Sequence, residues 1–252
     1  MKLIRPNAAH STPVTIPFGG RDWSDAILAG FDTETTGPNP ETDRIVSASL
    51  VIDKPGNTAE VNEWLIQPAI PIELQATAVH GISNEHAAKF GMDARQGIQE
   101  IILALSTIDY PIIVVNAVFD FTLLVNEAVR YGLDATAIVD RLLIVDTLVC
   151  DRWLDMYRPG RRTLTAVAAS YGIPIKGAHT ASGDVLCAIK LARAMGRKFP
   201  QFGSGDLSAL QGLQAEAYKE WADNFAEFRQ MEDPTFTVSS DWPYQSVLIS
   251  QD

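Results

Sequence analysis

Cysteine is scarce in this chain, and basic residues are outnumbered. Cys150 and Cys187 are the only two cysteines and lie far apart without metal-ligand spacing. That excludes a disulfide-stapled scaffold and a cysteine-based zinc site, and leaves reduced core thiols as the reading. Lys and Arg number 20 against 31 Asp and Glu, a net charge of −11. Such a balance argues against a protein that coats nucleic acid nonspecifically by neutralising phosphates. No apolar run reaches the roughly 20 residues of a membrane span, and the N-terminus lacks the basic and apolar segments of a signal peptide. A cytoplasmic protein without membrane association is expected. Internal repeats and low-complexity segments are missing too.

What remains is 252 residues, 46% of them hydrophobic, enough to bury a substantial core in one domain plus an extension. The charge is unevenly spread. Residues 150–200 carry a net of +6 and residues 201–252 a net of −7. A locally basic face able to receive a phosphate backbone and a set of solvated helix faces fit this equally well.

Residues 1–25, with Pro6, Pro13, Pro17, Gly19 and Gly20, read as a loose N-terminal arm. Residues 26–32, 44–53 and 60–67 read as three strands joined by short turns, an antiparallel meander. The period then changes. Helices are expected over 72–79, 84–90 and 94–106, a buried strand over 110–115, a helix over 119–131, and a second buried strand over 142–145. Asp146 is placed to cap a helix running to Trp153. Further helices are expected over 162–171, over 181–195 with Gly196 as its stop, and over 207–231. The last carries Leu210, Leu213, Ala217, Trp221, Phe225 and Phe228 as an apolar stripe. Three antiparallel strands followed by strand-helix-strand-helix predict a mixed sheet of about five strands flanked by helices. The expected division is an arm at 1–25, a main domain at 26–200, and a C-terminal helix and tail at 201–252.

The chemistry concentrates in Phe31-Asp32-Thr33-Glu34-Thr35-Thr36-Gly37. On a strand, Asp32 and Glu34 share one face. Two carboxylates that close repel unless a cation sits between them, and a hard divalent ion is the natural partner. From this heptad alone, an acidic turn fits as well as a metal site. Asp120 follows the strand-like Tyr110–Val115 at the start of a helix. His179 and Asp184 would diverge by roughly 140° on a continuous helix. They face one pocket only with His179 on the preceding loop and Asp184 in the first turns.

The chain resembles the DEDDh 3′-to-5′ exonucleases, typified by proofreading subunits of bacterial replicative polymerases. The first motif is Asp32-Thr33-Glu34-Thr35-Thr36-Gly37, the second Asn116-Ala117-Val118-Phe119-Asp120, and the third His179, Ala181 and Asp184. Val79-His80-Gly81-Ile82 also looks familial, and the likeness runs from about residue 26 to 196. The chain departs from the family at Val115, where a histidine is common, which bears on substrate contacts there more than on the acids.

The resemblance implies an α/β, ribonuclease H-like exonuclease domain with a C-terminal helical extension. Asp32, Glu34, Asp120 and Asp184 would hold two divalent ions, Mg²⁺ or Mn²⁺, and His179 would take a proton from the attacking water. Thr35 and Thr36, with the backbone at Thr33, would hold the terminal 3′ hydroxyl. Ile82 and Phe119 would touch the last base, with Asn116 beside them. The partner would be nucleic acid 3′ ends, single-stranded DNA preferred, in replication, repair or proofreading with a DNA polymerase as a possible partner in trans. The alternatives are an exoribonuclease of the same fold and a nuclease-fold module that binds a partner through its C-terminal helix. Gln245-Ser246-Val247-Leu248-Ile249 loosely resembles a sliding-clamp peptide. Oligomeric state is not legible.

Overall fold

The computed structural model describes residues 2–4, 22–174, 181–245 and 247–249. The strands are β1 (Lys2–Ile4), β2 (Leu28–Thr35), β3 (Ile45–Asp53), β4 (Glu60–Leu65), β5 (Ile112–Val114), β6 (Ile144–Asp146) and β7 (Val247–Ile249). The helices are α1 (Leu74–His80), α2 (Asn84–Phe90), α3 (Ala94–Ser106), α4 (Ala117–Arg130), α5 (Thr136–Val139), α6 (Thr147–Leu154), α7 (Leu164–Ser170), α8 (Ala181–Lys198), α9 (Pro200–Gly203) and α10 (Leu207–Gln230).

Five strands form one sheet in the order β4-β3-β2-β5-β6. β2, β3 and β4 pair antiparallel, while β5 and β6 join parallel to β2 and to each other. The sheet is the mixed five-stranded one that the patterning predicts, and its fold is the ribonuclease H-like one that the resemblance implies. Its parallel strands are short and buried along their whole length, as strands covered on both faces must be. Alternation sends Phe31, Ile112 and Ile144 to one face, against Ile98 and Ile101 of α3 and Phe121 and Leu124 of α4. It sends Leu28, Ile113 and Val145 to the other, against Val185, Ile189 and Ala192 of α8.

Three sequence expectations change. β2 runs three residues further than expected, so Asp32 and Glu34 both lie on the strand, opposite Ser49 and Ser47 of β3, and the register shifts only after Glu34. Gly196 does not stop α8, which continues to Lys198. A Cβ at Gly196 would lie 2.5 Å from Ser24, so this glycine permits close packing instead of ending a helix. The third change is the inward face of α10. Its buried residues include Leu210, Gln211, Gln214, Tyr218 and Ala222, whereas Leu213 and Phe228 of the expected stripe are exposed. The face is turned by about one residue, or 100°.

The reason for that turn is the open edge of β6, whose outward backbone groups need partners. Gln211 accepts from the Ile144 N–H at 3.0 Å and donates to the Ile144 carbonyl at 3.0 Å. Gln214 accepts from the Asp146 N–H at 2.8 Å and also donates to the Ile144 carbonyl. Two buried amides thus close the sheet edge. Trp23, within the segment expected to be a loose arm, is buried and donates its indole N–H to the Phe202 carbonyl at 2.7 Å. β1 and β7 pair antiparallel in a separate two-stranded sheet, so the backbone of the clamp-like peptide's Val247–Ile249 is paired within this chain. Among the described residues, no helix is long and apolar enough to cross a membrane.

Candidate active site

The site is built around the carboxyl half of β2. Gly30 precedes Asp32 and Glu34 on the same face, and a Cβ there would fall 2.5 Å from Val185 and 3.0 Å from Ile189. The missing side chain lets α8 lie directly on the strand, which brings Asp184, in the first turn of α8, beside Asp32 and Glu34. Asp120 arrives from the other side of the sheet, in the first turn of α4. Its Oδ1 accepts from the backbone N–H of Thr33 at 3.0 Å and from the Thr33 hydroxyl at 2.6 Å. Asp120 is therefore tied across to β2 and does not cap its own helix. The cap position belongs to Asn116, whose φ of 68° is in the left-handed region that asparagine tolerates better than most residues.

Four carboxylates now share one neighbourhood. Burial, followed by the charges of Asp120, Glu34 and Asp184, pushes the Asp32 carboxyl well above its ordinary range. Burial and then the charge of Asp184 push Glu34 up to about 7. Asp120 also rises to about 7, driven by burial against the opposing pull of its Thr33 hydrogen bonds. Opposite Asp32, the Ser49 hydroxyl is buried with no hydrogen-bond partner among the described residues.

Among the described residues, no three His, Cys, Asp or Glu side chains form a ready ligand cage. The acids feel one another's charge without their oxygens being gathered on one point. As a donor set they still fit a hard cation: every donor is a carboxylate oxygen, and the charges that act on Asp32 are those of the other three acids.

The other expected site residues divide. His179 lies outside the described residues. Ile82 lines an open cleft of about 300 Å³ together with Glu34, Trp64, His80 and Ala181. Thr35 is half-buried and donates to the Gly37 carbonyl at 2.6 Å. Thr33 is buried and its hydroxyl is committed to Asp120. Thr36 is fully buried, donating to Asp43 at 2.8 Å and accepting from the Arg44 N–H. The side chains of Thr33 and Thr36 thus brace the site and do not open onto it. Phe119 is half-buried in the first turn of α4, and Asn116 is exposed just before it. His80 bridges two elements, with Nε2 3.2 Å from the Thr35 carbonyl and Nδ1 accepting from the Ile82 N–H at 3.1 Å. That pattern assigns the proton to Nε2.

Sequence reasoning missed two contributions. A glycine inside a strand pattern is a known sign of close approach, and Gly30 carried it. Asp146 caps α6 as expected, accepting from Leu148 and Val149, but it also accepts from the N–H groups of Asn116 and Ala117. One carboxylate thus fixes the start of α4, and no local pattern shows that reach. Part of the basic stretch is consumed internally: Arg158 and Arg162 pair with Asp151, Arg193 with Asp53, and Lys198 with Asp155.

A ribonuclease H-like sheet with acids at the end of its central strand defines a nuclease-type fold. The family model described as Exonuclease (RNase_T) matches residues 29–192. The chain belongs to that exonuclease family. It is 28% identical over 167 residues to a PolC-type DNA polymerase III from Lacticaseibacillus paracasei, a match covering 65% of this chain and 11% of the polymerase. It is also 28% identical over 198 residues to an uncharacterized exonuclease, CP81, of Escherichia phage 186, covering 74% of this chain and 96% of the phage protein. Among solved structures, an exonuclease I matches with a TM-score of 0.63 at 22% identity, covering 70% of this chain and 42% of the other. An E. coli exonuclease I in complex with a dT13 oligonucleotide matches with a TM-score of 0.60 at 20% identity, with the same coverage of both chains. The chain thus spans a small part of the polymerase, under half of exonuclease I, and nearly the whole phage protein.

Proposed function

We propose that this chain is a divalent-metal-dependent 3′-to-5′ exonuclease that hydrolyses single-stranded DNA from its 3′ end and releases nucleoside 5′-monophosphates. The observation that carries this reading is the cluster of Asp32, Glu34, Asp120 and Asp184, in which burial and then the charges of neighbouring acids raise the proton affinity of Asp32, Glu34 and Asp120. Two ions such as Mg²⁺ or Mn²⁺, held by these four acids, would supply an acidified water and neutralise charge on the phosphodiester. Thr33 orients Asp120 by fixing one of its oxygens. His179 is the residue proposed to take the proton of the attacking water, a role that suits a neutral imidazole.

Ile82 and Phe119 are proposed to pack on the terminal base, with Thr35, Asn116 and the backbone of β2 positioning the 3′ end. DNA is favoured by the relatives: one is a DNA polymerase, and exonuclease I has been solved with a DNA oligonucleotide. The chain's partner in trans would be a polymerase, or a single-strand-binding protein as in the ExoI/SSB-Ct complex.

The test is a time course on 5′-labelled single-stranded DNA and RNA of matched sequence, with Mg²⁺, with Mn²⁺ and with EDTA. A metal-dependent ladder shortening from the 3′ end, faster on DNA, is expected. Faster RNA trimming would reassign the substrate, and intact strands with folded protein would remove the enzymatic reading. His179→Ala should nearly abolish turnover, and a fully active variant would refute the base assignment.

A further inference from the structure

We infer that the cavity between α6 and α10 is a second subsite for single-stranded nucleic acid, holding one phosphate and its base upstream of the cleaved end. The inference rests on the nuclease reading above. The cavity is about 380 Å³, and Arg152, Trp153, Met156, Trp221 and Glu220 are among the residues that line it. The Arg152 guanidinium lies 3.9 Å from the centre of the Trp221 ring, which stacks on Phe225.

Among the described residues, Arg152 makes no hydrogen bond or ion pair. Its neighbour Arg162 is spent on Asp151 and on the carbonyls of Asp155 and Met156. Arg152 therefore brings to the cavity a planar cation that feels the charges of Asp146 and Asp151 but keeps its hydrogen-bond donors open, already oriented by stacking, and its fork of donors matches a phosphate. Trp153 and Met156, 39% and 55% exposed, offer the apolar surface that a base needs.

Position favours the strand as occupant. α6 begins immediately after Asp146, the carboxylate that fixes the start of α4 and hence the helix bearing Asp120. Arg152 lies about 7.5 Å along α6 from its first residue. α4 and α6 thus both start at the carboxyl end of the parallel strands, the end that carries Asp120, and Trp221 lies seven residues beyond Gln214, which is bonded to Asp146. One cation among rings suits one phosphate flanked by bases. A run of carboxylates from an acidic peptide would meet a single cation here and would leave the exposed Trp153 and Met156 without an apolar group to cover.

The test measures anisotropy of a 5′-fluorescein oligothymidylate of about 20 nucleotides in EDTA. Arg152→Gln and Trp153→Ala are each expected to weaken binding by about tenfold. Both should leave cleavage of the p-nitrophenyl ester of thymidine 5′-monophosphate, too short to reach the cavity, near the wild-type rate. Unchanged affinity in both variants overturns the subsite, as does an equal loss on ester and oligonucleotide, which marks a folding role. Binding of a fluorescent acidic peptide that these variants abolish, with oligonucleotide affinity intact, also overturns it. If the wild type cleaves neither substrate with Mg²⁺ or Mn²⁺ while Arg152→Gln still weakens oligonucleotide binding, the nuclease reading fails and the subsite stands.

Discussion

Asp151 and Asp120 are both almost wholly buried, 0% and 3% exposed, yet their charges are met in opposite ways. Asp151 takes a two-pronged contact from Arg158 at 3.0 and 2.8 Å and a further short one from Arg162. The buried charge is matched by two guanidiniums on the following loop, which stiffens the link between α6 and α7. Asp120 has one oxygen held by Thr33, and the nearby charges that act on it are those of Asp146 and Glu34. A buried acid with matched cations is architecture; acids such as Asp32 and Asp120, on which the neighbouring charges that act are those of other acids, are a liability that function has to justify. The difference separates the two sites without reference to any relative.

The largest effect should come from removing an acid of the β2 cluster. Asp32→Asn should lower metal-dependent exonuclease activity by at least about a thousandfold, roughly 4 kcal/mol in the barrier. Its effect on stability should have the opposite sign. Asp32, Glu34 and Asp120 have folded-state affinities for protons above their ordinary values. Between their ordinary range and about 7 the folded state therefore binds more protons than the unfolded one, and stability falls as pH rises through that window. In EDTA, Tm should drop between about pH 5 and pH 8, Mg²⁺ should recover it at the upper end, and Asp32→Asn should melt higher than wild type there. A flat Tm profile in EDTA would contradict the raised proton affinity of Asp32, Glu34 and Asp120.

The compensated site should behave in reverse. Arg158→Ala leaves Asp151 with half its partners and should cost about 3 kcal/mol of stability in denaturant titrations, while kcat of the remaining folded enzyme stays close to wild type. A large fall in kcat without loss of stability would dissolve the contrast. Thr33→Val probes the Asp120 oxygen that Thr33 holds. It removes the hydroxyl and keeps the backbone bond, so activity should fall by about 10-fold to 100-fold with little change in Tm. The smallest effect should be that of Thr36→Val. Its hydroxyl serves the Asp43 turn, so a cost of about 1–2 kcal/mol in stability is expected with kcat/KM within about twofold. A selective rise in KM would instead return Thr36 to the substrate.

The sheet and most helices were legible because each has a period of its own. The three β5 residues and the 3.6-residue stripe of α3 state their burial in the order of their apolar side chains. The acid pair on β2 was legible for the same reason, since alternation alone puts Asp32 and Glu34 on one face. The expected stripe of α10 misled, because hydrophobicity selected Leu213 and Phe228 while the open edge of β6 selected Gln211 and Gln214. A buried glutamine pays its desolvation only where unpaired backbone awaits it, and nothing near residue 211 in the chain announces that edge.

By itself the sequence determined which residues are acids, that two of them share a strand face, that three antiparallel strands precede the parallel pair, and to which family the motifs point. These follow from side-chain identity and from backbone periods that act over a few residues. The tertiary structure alone decided that α8 touches β2 at Gly30, that Thr33 holds Asp120 across 87 residues of chain, and that Asp146 fixes two helix starts at once. Each is a close approach between elements remote in sequence. It depends on which side chain is small enough, or which donor is left unpaired, at a place only the packed sheet creates.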